Sequence, residues 1–212
     1  LAEDGQKMSK SKKNYPDLML IVNKYGADAL RYYLMSSPVV HAQDVAFAER
    51  GVDEVVKKHI GRLNNVVTFY EMYATGNEPK TVSNNILDQW ILARLYQLQK
   101  EVTDSLEKYE IDRASRPFAD FIDDLSTWYV RRSRDRFKSE DINEKSKALN
   151  TTREVILGLV KVLAPFMPFV SEDIYLRLRG DKQSVHLDSW PTASKFDPKT
   201  IEYMREIRRF AS

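Results

Sequence analysis

The chain has 212 residues, 42% of them hydrophobic, enough for one or two domains with a real core. Its 33 lysines and arginines against 31 acids leave a formal net charge of +2, so any nucleic-acid contact must come from local clustering and not from bulk charge. Without cysteine there is no disulfide scaffold and no thiolate metal site, which fits a reducing, cytoplasmic setting, and no apolar run approaches the ~20 residues needed to cross a bilayer. No secretory pattern opens the sequence, and Leu1-Ala2-Glu3-Asp4-Gly5 reads as the interior of something longer, an excised fragment.

In chain order, "DLMLIVNKYG" and "ADALRYYLMSS" predict two short helices joined at Gly26, followed by a short strand or turn around Asp44-Val45-Ala46-Phe47. A boundary near Arg50 closes this small mixed α/β module. Val52, Val56, Ile60, Leu63, Val67 and Tyr70 form a helical stripe that Gly76-Asn77-Glu78-Pro79 stops. Ser83, Asn84 and Asn85 offer N-caps to a longer stripe through Leu87, Ile91, Leu95, Leu98, Val102, Leu106 and Tyr109. A third stripe runs Phe118, Phe121, Ile122, Leu125, Trp128, Tyr129, and a fourth Ala148, Thr152, Val155, Leu159, Val162. Pro165 and Pro168 break the chain, because proline lacks a donor and disfavours helix before it. A short helix from about Phe169 to Leu178, closed by Gly180, precedes an extended "SVHLDSW" and a last helix after Pro198. The expected fold is mainly α. An antiparallel helix bundle over 51–180 follows the module at 1–50, and 181–212 holds the extended segment and the C-terminal helix.

The segment "GQKMSKSKKNYPD" gathers lysines and serines directly before a proline and a helix. A phosphate site needs donors and positive charge on a glycine-flanked segment. Lys7, Lys10, Ser9 and Ser11 supply both, and apolar Met8 is placed to pack the loop against a neighbour. On charge alone, a solvated basic loop is the preferred reading of the run.

The string Lys7-Met8-Ser9-Lys10-Ser11 matches the K-M-S-K-S signature of class I aminoacyl-tRNA synthetases. "NKYGADALRYYLMSSPV" resembles the stem-contact module of the isoleucine, leucine and valine enzymes. "STWYVRRSRDRF", "LAPFMPFVSEDIY" and "SVHLDSWP" resemble the isoleucyl anticodon-binding bundle, so the resemblance runs along essentially the whole chain. Lys12-Lys13-Asn14-Tyr15-Pro16-Asp17 departs from the leucine-glycine-asparagine continuation of many bacterial members and is similar to the eukaryote-like branch. The resemblance implies ATP-dependent isoleucine activation, with magnesium, in a parent enzyme. Lys10 would be the main phosphate contact, Lys7 would assist, and Ser9 and Ser11 would be weaker donors. It also implies tRNA for isoleucine as partner of a monomeric fragment that by itself holds no cofactor or metal. His59-Ile60-Gly61-Arg62 almost spells the family's H-I-G-H string, but it lies after the loop and inside an apolar stripe, as a chance match would. With no alternating strand–helix pattern for a nucleotide fold, the fragment alone should catalyse nothing.

Between Leu125 and Lys138, Arg131, Arg132, Arg134, Arg136 and Lys138 face one acid, Asp135. Arg131, Arg134 and Lys138 share a helical face, and Arg131 and Arg134 are the stronger candidates for direct RNA contact. Arg132 and Arg136 continue the direction of the apolar stripe, so Arg132 is either a tRNA contact or a half-buried partner of a bundle carboxylate. Trp128 is either core or a base-stacking ring. Asp120, Asp123 and Asp124 read as a solvated acidic face more readily than as a catalytic pair, and His41, His59 and His186 show no metal spacing. Two alternatives share these features: the equivalent valyl fragment, and a freestanding helical module that binds protein, which leaves the K-M-S-K-S string unexplained.

Overall fold

The computed structural model describes residues 1, 5–9, 11 and 14–211. Helix α1 (Leu18–Tyr25) starts where the Asp17 carboxylate accepts the Met19 amide at 2.8 Å. Gly26 then turns the chain with φ 86°, a left-handed value that costs glycine little, into α2 (Ala27–Met35). A 3₁₀ turn at Pro38–His41 leads to α3, a continuous helix over 49–71 with a π-helical stretch at Val56–Gly61. Helix α4 (Ile86–Glu107) is capped by Asn85, whose side chain accepts the Leu87 amide at 2.9 Å. The short α5 (Ile111–Ser115) leads into α6, continuous over 117–137 with a second π-helical stretch at Asp124–Val130. Helix α7 (Ile142–Leu163) is capped by Asp141, and α8 (Pro168–Arg177) and α9 (Pro198–Ala211) complete the chain.

The protein is mainly α, as expected. Among the described residues there is no strand, so the mixed α/β character expected of the first 50 residues does not appear. Residues 44–48 run as coil, and among the described residues they pair with Leu1, whose amino group donates to Val45 O at 2.8 Å and whose carbonyl accepts the Phe47 amide at 3.0 Å. Two bonds to one residue make no ladder.

One core joins the elements. Ile91, Leu95, Leu98 and Val102 of α4 are buried with Phe118, Phe121, Ile122 and Leu125 of α6 and Val155, Leu159 and Val162 of α7. Gly158 lets α7 approach α4 closely: a Cβ there would meet Leu95 Cδ2 at 2.8 Å. Residues before α3 share this core through Ile21, Ala29, Leu30 and Tyr32, and the Tyr32 hydroxyl donates to Ser115 O at 2.7 Å. The Asp28 carboxylate accepts the Val170 amide at 2.6 Å and so caps α8 from α2, while the Arg31 guanidinium donates to Pro165 O at 2.9 Å.

Four local expectations are corrected. The α4 stripe stops short of Tyr109, which lies past the helix end, exposed, at φ 59°. Arg179, not Gly180, takes the left-handed position after α8, at φ 51°. Gly180 is required for space: a Cβ there would fall 2.1 Å from the Tyr175 ring, which is buried with its hydroxyl donating to Asp188 at 2.6 Å. The segment expected to be extended makes a 3₁₀ turn at Val185–Leu187, because Glu172 accepts both the Ser184 hydroxyl at 3.0 Å and the Val185 amide at 2.8 Å. The third stripe shifts by one residue after the wider π turn of α6, so Val130, Ser133 and Phe137 are buried and Arg132 faces solvent.

His59 lies in the π stretch of α3, its ring centroid 4.8 Å from that of Tyr32. Burial, then the charges of Arg62 and Lys58, lower its pKa from 6.5 to about 4, so the fold holds it neutral. The stability this contributes is complete above pH 6.5 and is lost as pH falls through about 4. Subtracting the stability–pH curve of His59→Phe from that of the wild type should therefore leave a decline across this window; a flat difference would remove His59 from the acid response. Gly180→Ala should destabilise the chain by about 1–3 kcal/mol in urea titration through overpacking against Tyr175. An unchanged midpoint would show that the ring can move aside.

Candidate nucleic-acid interface

The opening loop is shaped by Asn14, a residue the sequence reading did not single out. Its side-chain oxygen accepts the Ser9 amide at 2.8 Å and its amide donates to Lys7 O at 3.2 Å, closing the loop on itself. The Ser9 and Ser11 hydroxyls lie 2.8 Å apart, and Lys7 is exposed with no ion pair among the described residues. Met8 lines an apolar pocket of about 500 Å³ with Leu1, Tyr15, Tyr33, Val45 and Phe47. Lys10 lies outside the described residues. The Ser9 and Ser11 hydroxyls thus lie together in the loop, while Lys7 contributes its carbonyl to the Asn14 contact and leaves its ammonium exposed.

The arginine helix is held by a buried ion pair. Asp88, fully buried at the start of α4, accepts Arg136 Nη1 at 2.7 Å and Nη2 at 2.6 Å. It also accepts the Tyr129 hydroxyl at 2.8 Å and the Ser83 hydroxyl at 2.5 Å. Burial and the adjacent Asp88 carboxylate push the Tyr129 hydroxyl well above its ordinary pKa, so it remains a donor. Glu144 of α7 lies 3.6 Å from Arg136 Nε. The bundle carboxylate pairing considered for Arg132 is therefore made by Arg136, because the π turn rotates Arg132 outward.

Anchoring Arg136 inward sets the rest of the helix. Arg131, Arg134 and Lys138 are exposed on one face and make no ion pair among the described residues. Arg132 instead stacks on Trp128, its guanidinium 4.5 Å from the ring centroid. Trp128 is half-buried under α9: Arg208 lies 5.2 Å from its centroid, and the indole N–H donates to Met204 Sδ at 3.3 Å. The structure thus groups Arg131, Arg134 and Lys138, and sets Arg132 and Trp128 apart as a stacked pair.

Of the acidic triplet, Asp120 is exposed, as expected of a solvated face, while the other two are taken into ion pairs. Asp123 pairs with Arg62, and Asp124 accepts Arg94 at 2.9 Å and also Arg208. They line a cleft of about 790 Å³ whose acids are interspersed with arginines, a poor setting for an isolated acid–base pair. Among the described residues no group of three or more histidines and carboxylates is placed to hold a metal ion, and no helix is long and apolar enough to cross a membrane.

Asp88→Ala would leave the Arg136 charge buried without its partner and should cost about 3–5 kcal/mol, whereas Asp88→Leu with Arg136→Met should recover most of that loss. Denaturant titration of the three chains checks this. A loss for Asp88→Ala of less than about 1 kcal/mol, as for an exposed pair, would contradict the anchoring role.

Residues 88–211 match the family described as the anticodon-binding domain of tRNA ligase, and residues 1–46 match the class I tRNA synthetases for I, L, M and V. An isoleucine–tRNA ligase of Chlamydia trachomatis serovar L2 is 45% identical over 100% of this chain and 21% of its own length. One from Chlamydia pneumoniae is 42% identical over 98% of this chain and 21% of its own length. The chain thus spans about a fifth of these relatives. A solved ternary complex of the Agrobacterium radiobacter K84 agnB2 LeuRS with tRNA and LeuAMS shares the fold, with a TM-score of 0.65 and 20% identity over 95% of this chain and 24% of that one. Matched over more than half its length by the one family and at its start by the other, the chain belongs to the class I tRNA ligases and carries their anticodon-binding domain.

Proposed function

We propose that the chain binds tRNA for isoleucine through the arginine helix and serves, within a longer ligase, the ATP-dependent activation of isoleucine through its opening loop. The observation that carries the first part is the group Arg131, Arg134 and Lys138: three exposed cations on one helix face, none neutralised by a described carboxylate, in a chain of nearly balanced charge. Cations without partners suit phosphates. Arg132 and Trp128, stacked apart from that face, are a secondary contact in this reading, reached through the exposed Arg132 side of their stack.

For the loop, the adjacent Ser9 and Ser11 hydroxyls and the exposed Lys7 support the reading, and Lys10 does so by its place in the string. ATP, with magnesium, supplies the phosphoanhydride whose cleavage activates the amino acid. This chain's part is to place the ammonium groups of Lys7 and Lys10 against developing phosphate charge, in a loop that Asn14 holds closed. The division near residue 50 separates these two duties. Among the described residues there is no strand for a nucleotide-binding fold beside the loop, so this reading gives the 212 residues alone the role of a monomeric RNA-binding piece without ligase activity.

Titrating tRNA for isoleucine at several salt concentrations tests the RNA reading. Affinity should fall steeply with salt, and Arg131→Ala or Arg134→Ala should each weaken binding and lower the slope of log affinity against log salt by about one. Wild-type affinity and slope in both variants would place the RNA surface elsewhere.

A further inference from the structure

The surface beside the arginines carries rings that no part of the reading above has used. At the end of α3, Phe69 and Tyr73 lie with centroids 5.1 Å apart, and Phe69 stands edge-on to Phe137 of α6 at 5.1 Å. Tyr73 lies 6.1 Å from the same Phe137 ring. Phe137 is fully buried, while Phe69 and Tyr73 are only half-buried, so part of each stays open to solvent. Two cations flank them: the Arg134 guanidinium lies 6.0 Å from the Phe69 centroid, and the Lys145 ammonium 6.0 Å from that of Tyr73. Lys145, like Arg131, Arg134 and Lys138, makes no ion pair among the described residues. Met72 between the two rings is exposed.

We infer that Phe69 and Tyr73, with Arg134 and Lys145, form a stacking site for unpaired RNA bases next to the phosphates that Arg131 and Lys138 hold. The inference rests on the arginine-helix reading and deepens it. Charge selects a polyanion for this patch. The half-open rings select single-stranded nucleotides, because a duplex keeps its base faces inside and offers only phosphates. Trp128, the ring the sequence points to, is covered more closely: Arg132 and Arg208 lie 4.5 and 5.2 Å from its centroid, nearer than the 6.0 Å of Arg134 and Lys145 from Phe69 and Tyr73, and Met204 takes its N–H. Phe69 and Tyr73 reach this surface from α3, some sixty residues before the arginines, which is why no local sequence pattern marks them.

The test compares an RNA hairpin with an unpaired loop and a blunt duplex of the same stem, binding to wild type, Tyr73→Phe, Tyr73→Leu and Arg131→Ala. Tyr73→Leu keeps an apolar group against Phe137 but loses the ring. It should weaken hairpin binding about tenfold, leave duplex binding and the salt slope unchanged, and be rescued by Tyr73→Phe. Thermal unfolding checks that the variant folds, and Phe69→Leu takes its place if it does not. Wild-type hairpin affinity in the folded leucine variant, or equal losses on hairpin and duplex, would overturn the stacking site. Loss of hairpin binding with Tyr73→Leu while Arg131→Ala changes nothing would instead overturn the arginine reading and leave the stacking site standing.

Discussion

The bidentate pair between Asp88 and Arg136 is the contact on which the outward presentation of the α6 cations depends. A fully buried carboxylate holding four donors cannot be moved cheaply, since each donor shares its compensation for lost water. By holding Arg136 inward, the pair fixes the rotation of α6 about its axis. Arg131, Arg134 and Lys138 are then turned outward together. The same carboxylate sits at the start of α4 and is joined by Tyr129 and Ser83, so helix orientation and core packing are set in one place. Such a pair is a weak source of net stability and a strong source of geometry.

The second constraint is the π turn over Asp124–Val130. Without it, the α-helical period would carry the buried face from Leu125 and Tyr129 to Arg132 and Arg136. One widened turn moves that face to Val130, Ser133 and Phe137. Arg132 is released to stack on Trp128, and Phe137 enters the core where Phe69 and Tyr73 can pack on it. Asp124, the first residue of the stretch, holds Arg94 and Arg208, so α4 and α9 both brace the place where the helix departs from its regular period.

Much of this was legible in the residues. The four apolar stripes mark the main helices, Asn85 caps where it was expected to, and Gly26 turns the chain between α1 and α2. The shared face of Arg131, Arg134 and Lys138 follows from spacing alone. What was not legible depends on contacts distant in sequence or on an irregular turn. Periodicity assumes one constant pitch, so it puts Arg132 inward together with Arg136, whereas only Arg136 turns in. Gly180 looked like a helix stop because glycine commonly supplies a left-handed residue; its function is to leave room for Tyr175, which only packing reveals. The turn at Val185–Leu187 comes from Glu172 on α8, and Asp28 caps α8 from α2, neither of which a local pattern can announce. The opening loop is intermediate: its lysines and serines were plain, whereas Asn14 needed coordinates to be recognised as its clasp.

The most direct test of the central claim is hydrogen-exchange and side-chain footprinting of the chain with and without bound tRNA for isoleucine. The face set by Arg136 and the π turn should be covered, so protection should concentrate at Arg131, Arg134, Lys138, Tyr73 and Lys145, with α9 and the Trp128 side changing less. Protection centred on Arg205 to Phe210, with residues 131–138 left open, would contradict the account.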